Sequence, residues 1–233
     1  RDRSKVYTKN QSRTGIPIII SDMQNLNGRQ LDAIGVGGGT REEYNEYHLR
    51  ASSSVTKKFG LIKRFIYASS SSVYGVSEKK DVTEEHPFLP LTLYNKYKGM
   101  CEPILLSQTD NNFEGLIFRP ATVCGLSPRM RLDVSVNMLT FQALQNKKIT
   151  VFGGDQVRPN IHIKDMIRVY EHFLLKASSL QSGNYNAGFE NMSILAIAEL
   201  IQSKVPSEIV VTQSNDPRSY RQNSDKLLNN SIL

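Results

Sequence analysis

The sequence predicts an α/β fold built on a mainly parallel sheet. Two patterns point there. Short apolar runs of strand length recur along the chain. Between them lie longer segments whose apolar residues return every three or four positions. Strands alternating with helices in this way form units whose connected strands lie parallel. The length of 233 residues allows one large domain or two small ones.

The strand candidates, in order, are "GIPIIIS" at 15–21, "LIKRFIYAS" at 61–69, "EGLIFRP" at 114–120 and "ITVFGG" at 149–154. "GNYNAG" and "EIVVT" are shorter ones. The helix candidates are "LYNKYKGMCEPILL", "DVSVNMLTFQALQN", "HIKDMIRVYEHFLLKA" and "SILAIAELIQSKV". In the first of these, Tyr97, Met100, Cys101, Ile104 and Leu105 recur at helical steps. No repeat and no low-complexity linker divides the chain.

Composition narrows the function classes. The net charge is +7; residues 1–14 carry five basic side chains against Asp2, and the remainder carries +3. A basic tail on a mildly basic body suits an anionic small molecule better than a nucleic-acid duplex, which calls for a dense basic face. No apolar run approaches 18 residues, so no membrane span is expected. The start lacks the apolar core of a signal peptide. Cys101 and Cys124 alone make neither a disulfide framework nor a metal site. Packing in a reducing cytoplasm is the expectation for both.

The stretch "FIYASSSSVYG" at 65–75 places four serines directly after an apolar run. In an open α/β sheet, ligands bind at the carboxyl ends of the strands. The serine run is therefore expected at a ligand crevice rather than in a tether. Tyr94 and Lys98 stand four apart in a predicted helix and share one face. A free tyrosine is only about one part in a thousand ionised at neutral pH. Lowering its pKa by roughly three units takes about 4 kcal/mol. A lysine ammonium one turn away supplies part of that. Such a pair can shuttle the proton of a hydroxyl that becomes a carbonyl, with a nearby serine holding the same oxygen.

Tyr-x-x-x-Lys alone is a weak motif. The blocks "KRFIYASSSSVYG", "PLTLYNKYKGMCE", "RPATVCG", "ITVFGGDQVRPNIHIKDM" and "DPRSYRQNSDK" occur together and in order. Over residues 15–228 the chain resembles the extended short-chain dehydrogenase/reductases, specifically the NAD-dependent epimerase/dehydratase group that acts on nucleotide sugars. The resemblance implies a partial NAD-binding Rossmann-like domain over 1–120. It implies a mostly substrate-binding region over 121–233, with some segments returning to the Rossmann-like sheet. It implies Ser70, Tyr94 and Lys98 as the catalytic set. It assigns Asp22, Met23, Gly35, Gly37, Ala68, Ser69, Tyr94, Lys98, Pro120 and Ala121 to the cofactor. It assigns Ser71, Thr122, Asn137, Arg158 and Arg218 to a nucleoside-diphosphate sugar; two guanidiniums on one pyrophosphate is sound chemistry. His162 is expected to be structural. The cofactor is expected to be NAD, with NADP left open. A homodimer is the family expectation, and Tyr97, Met100 and Ile104 offer apolar surface for it.

In the family's dehydratases, the two positions after the catalytic serine or threonine usually include a carboxylate that drives water loss. Here they are Ser71 and Ser72, and a serine cannot serve as that acid or base. The resemblance then implies a 4-epimerase. A keto-sugar reductase or another family dehydratase is the alternative. The family's opening Gly-x-x-Gly-x-x-Gly block is not found. "GVGGGT" at 35–40 fails at Thr40, and no acidic residue occurs between Glu46 and Glu78, where a ribose-binding carboxylate would stand. The chain is therefore expected to begin near the family's third strand, with Gly35, Gly37 and Gly38 along the cofactor path. An inactive fragment or a sugar-nucleotide binding module is a further alternative.

Overall fold

The structure, a computed structural model, describes residues 6–7, 20–21, 33–36, 64–77, 79, 81–128, 130–175, 180–214 and 219–230. Its centre is a four-stranded parallel sheet. β3 (Ala33–Val36), β4 (Arg64–Ala68), β5 (Glu114–Pro120) and β9 (Gly183–Ala187) lie side by side in that order. The registers pair Ile66 with Gly35 and Leu116, and Phe118 with Tyr185. The expected parallel arrangement is present.

β4 and β5 are apolar on both faces because both faces are covered. Phe65, Tyr67 and Ile117 pack against Cys101 and Leu105 of α1 (Leu93–Leu106). Ile66, Leu116 and Phe118 pack on the other side against Val169 and Phe173 of α3 (Ile163–Leu175). Period-two alternation of side chains along a strand sends neighbours to opposite layers. This is why an unbroken apolar run was legible as a buried strand.

α2 (Ser135–Asn146) and α4 (Ile194–Gln202) build a second core. Leu139 and Ala143 meet Ile149 and Val151 of β7 (Lys148–Phe152), together with Ile197 and Ala198. β7 pairs in parallel with β11 (Glu208–Thr212).

Two features differ from expectation. A small mixed sheet of β6 (Thr122–Cys124), β8 (Val157–His162) and β10 (Glu190–Ser193) was not read from the sequence. These strands are short, polar and, in β8, carry Pro159, so none shows a strand period. At the other end, Ile20–Ser21 (β2) was expected as part of a buried strand over 15–21. It pairs antiparallel with Val6–Tyr7 (β1) in a separate two-stranded ribbon.

A strap at residues 219–224 ties the layers together. Val82 N–H donates to the Arg221 carbonyl at 2.9 Å, and Asn223 N–H to the Val82 carbonyl at 3.0 Å. Gln222 Nε2 donates to the Arg119 carbonyl at 2.8 Å. The Ser219 hydroxyl accepts from Val157 N–H at 3.1 Å. The strap runs from the end of β5 to β8. Among the described residues, no helix is long and apolar enough to cross a membrane.

Candidate active site

A cleft of about 750 Å³ opens at the carboxyl ends of β4 and β5. The four serines, Tyr94, Pro120, Ala121 and Thr122 line its sheet side. Thr150, Gln156, Arg158 and Ser214 line the side nearer the second core. The serine run thus ends a buried strand and faces the crevice that an open α/β sheet reserves for ligands.

Each serine has its own partner. The Ser69 hydroxyl donates to Glu102 Oε1 at 2.5 Å. Ser70 caps a 3₁₀ turn over Ser71–Tyr74, its Oγ accepting from Ser72 N–H at 3.2 Å. Ser71 Oγ shares a 2.8 Å hydrogen bond with the Tyr220 hydroxyl. Ser72 Oγ donates to Asn95 Oδ1 at 2.8 Å and lies 2.6 Å from Ser70 Oγ. Gly75 ends the turn at φ 66°, and a side chain there would strike the Leu89 carbonyl. The turn leaves the sheet abruptly because the Ser70 hydroxyl caps a backbone N–H that the ladder no longer pairs.

Tyr94 sits in the first turn of α1, which Thr92 opens by accepting from Asn95 N–H at 3.2 Å. Burial pushes the Tyr94 phenol up from the ordinary tyrosine value, the Arg131 charge pulls it back, and the Ser70 hydroxyl lies beside it. Lys98 was expected to supply part of the stabilisation of this phenolate. Its Nζ lies 5.9 Å from the Tyr94 ring centre and 5.0 Å from that of Tyr67, and it donates to the Ala68 carbonyl at 2.7 Å. The side chain is 1% exposed, and burial brings its pKa down to about 8. Lys98 therefore anchors the strand end that carries the serines.

Behind the cleft lies a buried polar network. Arg119 and Glu102 form an ion pair at 2.6 Å with both partners sealed from water. Arg119 Nη1 donates to the Tyr74 hydroxyl at 2.6 Å and to the Glu84 carbonyl at 2.9 Å. The Tyr74 hydroxyl donates to Asn186 Oδ1 at 2.7 Å. Burial drives the Tyr74 phenol up to about 12 despite the guanidinium. Tyr74 is thus a fixed hydrogen-bonding post.

Other residues singled out in the sequence take varied places. Asn137 is buried; its Oδ1 accepts from Gly125 N–H and its Nδ2 donates to the Arg131 carbonyl, both at 2.9 Å. It clamps the loop that edges the cleft. Arg158 reaches the cleft from β8. His162 is exposed, its Nδ1 accepting from Lys164 N–H at 3.3 Å. Gly35 lies in β3 opposite Ile66. Asp22, Met23, Gly37, Gly38 and Arg218 fall outside the described residues. Among the described residues, no cluster of His, Cys, Asp or Glu could hold a metal ion.

Among the cleft residues that were missed are Arg131, Asp133 and Tyr220. Arg131 and Asp133 form a two-pronged exposed pair at 2.6 and 2.9 Å, and the guanidinium holds the Asp133 carboxyl below the ordinary range. "PRMRLD" displayed the charges, yet nothing in a loop sequence says which way it folds. Tyr220 lay in the block that drew attention to Arg218.

The model of the NAD dependent epimerase/dehydratase family matches residues 47–188, more than half of the chain. The chain belongs to that family. Among curated family members, an uncharacterised UDP-glucose epimerase of Bacillus subtilis is 33% identical over 143 residues, covering 60% of this chain and 44% of the relative. A putative UDP-arabinose 4-epimerase of Arabidopsis thaliana is 27% identical over 177 residues, covering 66% and 42%. The chain thus spans less than half the length of these two relatives. Among solved structures, the UDP-glucuronic acid 4-epimerase of Bacillus cereus, in complex with UDP-glucuronic acid and NAD, superposes with a TM-score of 0.67. It is 26% identical and covers 87% of this chain and 68% of that one.

Proposed function

We propose that this family member works as an NAD-dependent nucleotide-sugar 4-epimerase. The observation that carries the reading is the pairing of Ser70 with Tyr94 in a cleft whose one described carboxylate, Asp133, is held ionised by Arg131. An ionised, guanidinium-bound carboxylate is a poor general acid for eliminating water, which favours epimerisation over dehydration.

The donor set fits a dinucleotide. Lys98, Tyr94 and the Ala68–Ser69 strand end would hold the nicotinamide ribose, and Pro120–Ala121 would floor the ring. Gly35 and Gly37, with Asp22 and Met23, are the proposed contacts to the rest of the cofactor. When bound, NAD would supply the hydride acceptor and donor that inverts a sugar carbon. Tyr94 takes the proton of the reacting hydroxyl and gives it back. Ser70 holds the same oxygen. Ser71, Thr122, Asn137, Arg158 and Arg218 are the proposed sugar-nucleotide side, where Arg158 offers the diphosphate a cation from β8. The proposed division is a cofactor part over 1–120 and a substrate part over 121–233, joined where β9 returns to the central sheet.

The test is to supply NAD and a UDP-hexose in deuterated water and follow C4 by NMR. The epimer is expected to form with the C4 hydrogen retained and no net reduction of NAD. Net consumption of a reduced cofactor would replace this reading with the reductase. A 4-keto-6-deoxy product would replace it with the dehydratase.

A further inference from the structure

The hydroxyls beside Tyr94 can be counted proton by proton. A serine hydroxyl has one proton to donate and two lone pairs to accept with. Ser72 spends its proton on Asn95 Oδ1 at 2.8 Å. In the 2.6 Å contact between Ser72 Oγ and Ser70 Oγ, Ser70 must therefore be the donor. One Ser70 lone pair accepts from Ser72 N–H at 3.2 Å. A single acceptor lone pair is left. Asn95 is 5% exposed and sits in the same helical turn as Tyr94, fixed by its backbone bond to Thr92.

We propose that Ser72 and Asn95 are positioning residues that aim the Ser70 proton away from the cleft and present Ser70 as an acceptor. The inference rests on reading Ser70 and Tyr94 as the reacting pair. In this arrangement Ser70 accepts from a neutral Tyr94 or from a sugar hydroxyl. A phenolate at Tyr94 needs Ser70 as a donor, and that requires breaking the Ser70–Ser72 bond. The hydroxyl chain thus holds the proton on Tyr94 until the chain reverses. Lys98 on the same helix and Arg131 from the loop before α2 also face Tyr94. Neither is touched by a change at Ser72 or Asn95.

The experiment is Ser72→Ala, read as the ionisation of Tyr94 in the chain without ligands. Phenolate absorbance after a stopped-flow pH jump gives the titration before alkaline unfolding, with a Tyr94→Phe background subtracted. Removing Ser72 frees the Ser70 proton for Tyr94. The Tyr94 pKa is expected to fall by about one unit, the size of one hydrogen bond to a charged group. An unchanged or raised value would overturn the proposal. Asn95→Asp keeps an acceptor for Ser72, so no fall is expected; a fall there would also overturn it. The titration needs neither cofactor nor sugar. An inactive chain would count against the epimerase reading and leave this result legible.

Discussion

Glu102 and Arg119 show how much of the site is held from behind. Each is almost wholly buried and each compensates the other. Glu102→Ala would leave a guanidinium unpaired in the core. The expected loss is about 3–5 kcal/mol, read as a lowered urea midpoint. Lys98 makes a pH-dependent contribution of known sign. Its folded pKa of about 8 lies below the ordinary lysine value of 10.5. The folded chain therefore binds fewer protons than the unfolded chain between those values, and stability rises with pH across that window. Below it, burying the charged ammonium costs stability in full. Urea titrations should show wild type gaining on Lys98→Met from about pH 8 to about 10.5; a constant difference would contradict the assignment. Spacing made Tyr94 and Lys98 visible as neighbours in the sequence, and the family resemblance singled out Ser70 within the serine run. The Lys98 contacts were not visible, because a spacing of four places two side chains on one face without saying which distant carbonyl each will find.

α1 carries the site, and its least typical residue is Gly99. In a helix interior, Gly→Ala usually gains about 1 kcal/mol. Here a methyl group at Gly99 would meet the Phe88 ring at 2.8 and 3.0 Å. That ring is not free to move, because the Arg119 guanidinium lies over it at 4.7 Å. Gly99→Ala is therefore expected to destabilise by about 1–2 kcal/mol, measured by chemical denaturation. A gain in stability would show that Phe88 yields. The helices and central strands were legible because strong periodicity coincides with burial: the α1 range follows the apolar pattern that begins at Leu93. The β6–β8–β10 sheet was not. It is held by backbone pairing and by amide side chains such as Asn191, which donates to the Gln222 carbonyl and accepts from Gln222 N–H. Such bonds leave no period in the sequence.

At the scale of the molecule, the sheet presents its carboxyl edge to a cleft, and the 219–224 strap closes over that edge from the far end of the chain. Only the topology joins Ser71 to Tyr220, 149 positions away, which is why that contact was out of reach of sequence reading. The outer face of α1 carries Met100 at 44% exposure and Leu93 at 48%, and Leu89 and Leu91 in the segment just before the helix are similarly open. This apolar surface is the one to test for the homodimer that the family resemblance led us to expect. Met100→Lys should shift the mass measured by light scattering from dimer to monomer; an unchanged mass would place the interface elsewhere. The central claim is that Ser70 and Tyr94 carry a proton for a nucleotide-sugar hydroxyl. Its most direct test is turnover of a UDP-hexose with NAD by wild type and by Tyr94→Phe, with calorimetric sugar-nucleotide binding measured on both. The account predicts C4 interconversion by wild type, a loss of about 10²–10⁴-fold in Tyr94→Phe, and unchanged binding. Equal turnover by the two chains, or none by wild type, would contradict it.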